Sequence, residues 1–312
     1  MQNVDANQNA ATPESIIIHK LKSISSLHNV RILMAVESGS RAWGFPSVDS
    51  DYDVRFIYAR HPDDYLKLNP SNKELDDHLE DTKDYPYDMA GWDIRKTLRL
   101  LLSSNATPME WAKSPIQYIA NNELQASLLS FAPYLNPYSL FRHHYVLACK
   151  ANTVAISGSL ITDNNGQNTM QEVNIVKPKK LLYALRSFLS CEWILDPSTT
   201  PDIPISIHDL AQNKDMEFKN ALRNLIATKG VRRESDYADA HAVLLNYCNE
   251  MTSRYAEFTD CANEINPMLS QSNKYQIRDN EQLYTAVNDL IISSICVPQD
   301  NPILSAPSLG LR

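Results

Sequence analysis

Gly39-Ser40-Arg41-Ala42-Trp43-Gly44-Phe45-Pro46-Ser47-Val48-Asp49-Ser50-Asp51-Tyr52-Asp53 is the stretch that decides the fold of this chain of 312 residues. Before it lies an apolar run, Arg31-Ile32-Leu33-Met34-Ala35-Val36-Glu37, bounded by Asn29 and by Ser38-Gly39-Ser40. The run is short, β-branched at its ends and closed by turn residues, which predicts a buried strand. A chain turning from strand to helix at Gly39-Ser40 exposes backbone N–H groups, and these suit an anion. Gly39 permits close approach because it carries no Cβ. The chain has only 7 glycines, so the grouping of Gly39, Gly44 and Gly91 around this motif is informative.

Asp51-Tyr52-Asp53-Val54-Arg55-Phe56-Ile57-Tyr58 reads as the next strand. Side chains at i and i+2 share a face with Cα atoms about 6.6 Å apart, so Asp51 and Asp53 point one way while Tyr52 and Val54 point the other. Two like charges at that spacing repel unless a cation stands between them. Mg²⁺ is the expected cation, with Mn²⁺ as its substitute, because carboxylates plus substrate phosphates are its usual ligands. A plain acidic turn at Asp49, Asp51 and Asp53 is the competing account, and the Gly-Ser element upstream argues against it.

Gly-Ser, ten residues, then Asp-x-Asp resembles the signature of DNA polymerase β-like nucleotidyltransferases. Downstream, Asp88-Met89-Ala90-Gly91-Trp92-Asp93-Ile94-Arg95-Lys96, Asn105, Glu110-Trp111 and Ser114-Pro115-Ile116 are similar to one branch, that of an RNA-repair-associated polymerase β family. Lys179-Lys180-Leu181-Leu182-Tyr183-Ala184-Leu185-Arg186 with Trp193-Ile194 extends the likeness, which runs from about residue 31 to about residue 235. The resemblance implies a third carboxylate from a neighbouring strand, and Asp88, just before Gly91-Trp92, matches it. Asp93 is its rival, although it also fits the N-cap of a helix whose Ile94, Leu98, Leu101 and Leu102 repeat at helical spacing. The acidic group Asp76, Asp77, Glu80, Asp81 and Asp84 reads as a solvated connection.

The expected fold is α+β: a polymerase β-like nucleotidyltransferase domain, a short mixed sheet with helices, followed by a mainly α-helical domain. Residues 1–11 read as disordered, 12–125 as the catalytic domain, 126–296 as the helical domain and 297–312 as an irregular tail. Thr12 caps a first helix with Pro13 at its first position and Ile17, Leu21, Ile24 and Leu27 as its apolar stripe. Strands are expected near 31–37, 52–59 and 86–90, and helices from Asp93 and near 117–131, 138–156, 178–195, 216–228, 236–258 and 280–296. Segments 157–173 and 196–206, rich in polar residues and in proline, serine and threonine, read as loops.

Composition fits a cytoplasmic enzyme. No window approaches 18 uninterrupted apolar residues, and Met1 to Ala11 lack the pattern of a secretory signal. The 5 cysteines are scattered without a Cys-x-x-Cys pair, which argues for reduced thiols and against structural zinc. A net charge of −8 argues against an extended double-stranded nucleic-acid groove, while leaving room for a short RNA end.

The nucleotide-binding candidates are Gly39, Ser40, Arg41 and Lys180. Arg41 offers a bidentate phosphate clamp, and Lys180, with Lys179 beside it, starts a helix from which the resemblance implies a lysine aimed at the β- or γ-phosphate. Tyr183 and Arg186 lie one or two turns on and are candidates for the same cleft. Arg95 and Lys96 occupy a first helical turn, hinting at anion contact or at a salt bridge to Glu110 or Asp93. His143 and His144, about 100° apart on a helix, read as one exposed and one buried. Trp43 and Tyr52 suit either base stacking or core packing.

The expected reaction is metal-dependent transfer of a nucleoside monophosphate from a nucleoside triphosphate to an acceptor hydroxyl, with Asp51, Asp53 and Asp88 as catalytic metal ligands of a two-ion site. RNA ends, protein side chains and small molecules remain open as acceptors. A catalytically idle nucleotide-binding regulatory module and a metal-dependent phosphohydrolase are the alternatives, and no membrane partner is expected.

Overall fold

The computed structural model describes residues 12–68, 75–78, 86–156, 161–162, 168–169, 175–233, 236–256, 274–276 and 280–296. The fold is α+β. Helix α1 (Pro13–His28) starts where Thr12 Oγ1 accepts the Ser15 N–H at 3.2 Å, and it ends at Asn29 in the left-handed region, φ 48°. Ile17, Leu21 and Ile24 are buried, as their spacing predicts. Leu27 is 80% exposed, so the stripe ends a turn earlier than expected.

Strand β1 (Val30–Glu37) leads into the short helix α2 (Gly39–Trp43) and then β2 (Tyr52–Arg60). A turn of helix, α3 (Pro62–Tyr65), and an edge strand, β3 (Leu75–His78), precede β4 (Tyr87–Asp93). The edge strand replaces part of the solvated connection that the acidic group predicts. Asp76 and Asp77 lie on β3, and residues 79–85 fall outside the described residues. Helices α4 (Ile94–Leu102) and α5 (Thr107–Ala112) follow, then β5 (Gln117–Ile119) and α6 (Asn122–Ser130). The helix expected over 117–131 is therefore two elements. Residues 117–119 pair with β1 at the sheet edge, and Asn121 caps α6 by accepting the Leu124 N–H at 3.0 Å.

The sheet order is β3-β4-β2-β1-β5. β2 runs antiparallel to β1 and parallel to β4, in a register that sets Asp53 beside Asp88. Alternation along β2 splits the molecule into two cores. Val54, Phe56 and Tyr58 join Ile17, Leu21 and Ile24 beneath α1, whereas Ile57 and Ala59 face the helical part of the chain. Gly91 belongs to this packing rather than to the site. A Cβ there would stand 2.0 Å from the Phe56 ring.

The remainder is mostly helical: α7 (Pro137–Ile156), α8 (Pro178–Leu195), α9 (Ile207–Leu210), α10 (Met216–Gly230), α11 (Ala242–Arg254) and α12 (Asn280–Ile295). Short strand pairs occur at Ile161–Thr162 with Asn168–Thr169, inside the expected loop, and at Ile175–Val176 with Ala238–Asp239, where a helix was expected to begin. Helix α8 opens on Pro178 and buries residues around its circumference, including Leu181, Leu185 and Phe188, which makes it the central helix of this half. The expected termini at 1–11 and 297–312 lie outside the described residues.

Candidate active site

The site forms where β2 and β4 begin, on the sheet face turned toward α8. Asp53 is the second residue of β2 and lies in register with Asp88 on the parallel neighbour, so the backbones are about 4.8 Å apart. Asp51 stands just before β2 and is exposed. Burial raises the Asp53 carboxyl above the ordinary carboxylate range. Arg55 opposes that rise, the charges of Asp88 and Asp51 add to it, and Lys179 lowers it again. These five side chains thus share one electrostatic neighbourhood.

Gly39 begins α2 with φ +60°, a conformation that favours glycine. The demand for glycine is also steric. A Cβ at this position would stand 2.0 Å from Asp53 Oδ2, so the turn's backbone packs directly on the carboxylate. Ser38 N–H donates to the Asp53 carbonyl at 2.8 Å, tying the turn to β2. Ser40 is buried, and its hydroxyl donates to Ser50 Oγ at 3.1 Å. Ser50 is bonded in turn to Ser47, and Lys229 of α10 donates to the Phe45 carbonyl at 2.9 Å and to Ser47 Oγ at 3.1 Å. A lysine far along the chain thereby braces the loop that joins the Gly-Ser turn to Asp51.

Arg41 donates to the carbonyls of Ser50 and Asp51 at 2.8 and 3.2 Å and lies 4.0 Å above the Tyr52 ring. Its guanidinium supports the loop rather than projecting as a separate clamp. Tyr52 stacks on Tyr87 at 5.3 Å, while Trp43 packs edge-on to Tyr183 at 5.0 Å, so both aromatic candidates serve packing. Of the two lysines at the head of α8, Lys179 places its charge where it lowers the Asp53 carboxyl, and Lys180 lies 6.0 Å from the Tyr183 ring. Arg186 is buried. It donates to Glu110 Oε1 at 2.8 Å and sits 4.4 Å from the Trp43 ring, bracing the wall rather than facing an open cleft.

Asp93 lies five residues beyond Asp88, on the opposite face of β4 by alternation. It caps α4 by accepting the Arg95 N–H at 2.8 Å and also accepts the Tyr65 hydroxyl at 2.8 Å. Arg95 and Lys96 lie over the rings of Tyr65 and Trp92. His144 is buried, but His143 is partly buried rather than exposed, so the expected division holds only for His144.

At the carboxylates themselves, two further residues carry weight. Arg55 donates through Nη2 to Asp88 Oδ2 at 2.8 Å and to Asp53 Oδ1 at 3.3 Å. Its position, two residues after Asp53 and hence on the same face, was the available signal. Glu37, wholly buried at the end of β1, accepts the Asp53 N–H at 2.9 Å and the Tyr118 hydroxyl at 2.5 Å. Burial pushes its carboxyl up to about 7, against the lowering effect of those two hydrogen bonds.

Among the described residues, no three His, Cys, Asp or Glu side chains stand close enough together to hold a metal ion by themselves. Asp53 and Asp88 nevertheless present hard oxygen donors on adjoining strands, beside a backbone cradle that a Cβ at Gly39 would fill. That donor set fits Mg²⁺ when substrate phosphates complete the shell.

Among the described residues, no helix is long and apolar enough to cross a membrane. Cys149, Cys191, Cys248 and Cys296 are free, and Cys261 lies outside the described residues. Residues 14–278 match the RNA repair pathway DNA polymerase beta family. The protein YcgL of Bacillus subtilis (strain 168), described as uncharacterized, is 32% identical over 268 residues, covering 81% of this chain and 94% of that protein. The crystal structure of a nucleotidyltransferase-like protein from Exiguobacterium sibiricum 255-15 covers 89% of both chains at 10% identity, with a TM-score of 0.34.

Proposed function

Because this chain belongs to the RNA repair pathway DNA polymerase beta family and is thereby a polymerase β-like nucleotidyltransferase, we propose that it transfers a nucleoside monophosphate from a nucleoside triphosphate to a hydroxyl at an RNA end. The acceptor oxygen forms a bond to the α-phosphorus, the bond from that phosphorus to the bridging oxygen breaks, and pyrophosphate leaves. The hydroxyl proton passes to solvent. One observation carries the reading: Asp53 and Asp88 stand side by side on parallel strands, with the Gly39 backbone pressed against the Asp53 carboxylate.

Asp53 and Asp88, with Asp51 just before the strand, would hold Mg²⁺ or Mn²⁺. Such ions, when bound, neutralise triphosphate charge and make the acceptor hydroxyl more acidic. The Gly39-Ser40 amides would take a β- or γ-phosphate oxygen, and Lys179 adds positive charge on the same side of the site. Glu37 fixes the Asp53 backbone through its N–H. The family's description supports RNA as the acceptor class. The net charge of −8 supports contact with a short end rather than a long duplex.

The test incubates purified protein with each of the four α-labelled nucleoside triphosphates, Mg²⁺ or Mn²⁺, and pooled small RNA, cell lysate or metabolite extract as separate acceptors. Label entering RNA, and absent with Asp53→Asn or Asp88→Asn proteins that still fold, supports the reading. Label entering protein or a small molecule would replace the acceptor. Full activity in both variants would remove the carboxylates from the mechanism.

A further inference from the structure

We infer that Arg55 is a resident counter-ion that holds Asp53 and Asp88 together in the metal-free protein and must release them before a divalent cation can bind. The inference rests on the carboxylate site proposed above and adds an order of events to it. The Nη2 atom of Arg55 bridges Asp88 Oδ2 at 2.8 Å and Asp53 Oδ1 at 3.3 Å, while Nη1 donates to the carbonyls of Asp88 and Val54 at 3.0 and 3.1 Å. One guanidinium therefore reaches an oxygen of each carboxylate and is itself held at four points. Alternation along β2 places it on the face of Asp51 and Asp53, where it stands in the position of the bridging cation.

A fixed positive charge between two acids has two consequences. Metal binding must first displace hydrogen bonds to charged groups, which are the strong kind. Once displaced, a planar guanidinium on this face has the shape to take phosphate oxygens, together with Lys179. Metal and nucleotide then bind cooperatively, because each receives what the other's arrival frees, and by linkage the coupling is reciprocal. Metal alone binds weakly, which keeps the site closed to free cations until a nucleotide arrives.

Mn²⁺ binding, measured by titration calorimetry and by the paramagnetic resonance of free Mn²⁺, tests this on the full chain without turnover. Wild type and Arg55→Gln are titrated alone and with the non-hydrolysable α,β-methylene analogue of each nucleoside triphosphate. Arg55→Gln should bind Mn²⁺ alone at least tenfold more tightly than wild type. An analogue should tighten Mn²⁺ binding at least tenfold in wild type and by a clearly smaller factor in the variant. If Arg55→Gln does not fold, Arg55→Lys keeps the charge, cannot bridge both carboxylates and should shift in the same direction. Wild type that binds Mn²⁺ with an analogue, beside a variant whose affinity for Mn²⁺ alone is unchanged or weaker, overturns the role of Arg55 only. Absence of Mn²⁺ binding under every condition overturns the carboxylate site and this inference with it.

Discussion

Glu37→Gln should change how stability depends on pH while leaving the fold intact. Glu37 is 0% exposed, and burial raises its carboxyl from an ordinary 4.5 to about 7. Between those values the folded chain keeps a proton that the unfolded chain has released. The folded state therefore binds more protons, and stability falls as pH rises. The contribution is fully present below pH 4.5 and is lost by about pH 7. At 1.36 kcal/mol for each pH unit, a window of that width amounts to about 3 kcal/mol. Glutamine has no such ionisation. Its amide oxygen keeps the Asp53 N–H, and its altered contact with the Tyr118 hydroxyl contributes a pH-independent offset. Urea unfolding of both proteins in EDTA, at half-unit steps from pH 4.5 to 8, isolates the effect, because other titrating groups cancel in the difference. The variant should gain on wild type by about 3 kcal/mol across the window. A difference constant to within about 0.5 kcal/mol would show that Glu37 ionises as freely in the folded chain as in the unfolded one, and the reasoning from burial would fail.

Arg186→Met should destabilise the protein by about 3 kcal/mol, because it leaves the partly buried Glu110 carboxylate without its ion partner. The double variant with Glu110→Gln should recover most of that loss in the same unfolding assay. His144 is buried, neither ring nitrogen has a protein hydrogen-bond partner, and burial lowers its pKa to about 3. Wild type therefore loses stability from this group as pH falls from 6.5 toward 3, where the unfolded chain binds a proton that the folded chain refuses. His144→Leu should remove that loss and be at least as stable at pH 7, as unfolding curves at pH 5 and 7 would show. Lys229→Met should cost about 1–3 kcal/mol by stranding the buried Phe45 carbonyl. It should also weaken binding of nucleotide analogues, measured by calorimetry, because the braced loop joins the Gly-Ser turn to Asp51.

Much of the fold was legible because its signals are local. A cap, a proline and an apolar stripe specify α1 within 16 residues, and Asp93 specifies the start of α4 by the same logic. The reading failed where a distant partner decides the outcome. Gln117-Tyr118-Ile119 carries no strong periodicity of its own and becomes a strand because β1 offers an open edge, with Glu37 receiving the Tyr118 hydroxyl. Gly91 looked like part of the site because glycines are scarce, yet its constraint is the Phe56 ring on the neighbouring strand. Neither fact has a trace in the local sequence.

The site divides along the same line, and the division explains its electrostatics. Asp51, Asp53 and Gly39 fall within 15 consecutive residues, so their placement together was readable from spacing. Arg55 was within reach by strand alternation. Lys179 at the head of α8 and Arg186 two turns further along it were candidates only through the family resemblance and their shared helix, and Lys229 at the end of α10 was not a candidate at all. Each is placed by packing of the helical half against the sheet. A net charge of −8, taken as an average over the chain, argued only against an extended basic groove. The folded chain instead concentrates a few cations around a small acidic centre. Packing between the two halves therefore supplies what composition does not show. Loss of a brace such as Arg186–Glu110 should disturb the site by moving the helices that carry its charges, even though neither residue touches Asp53.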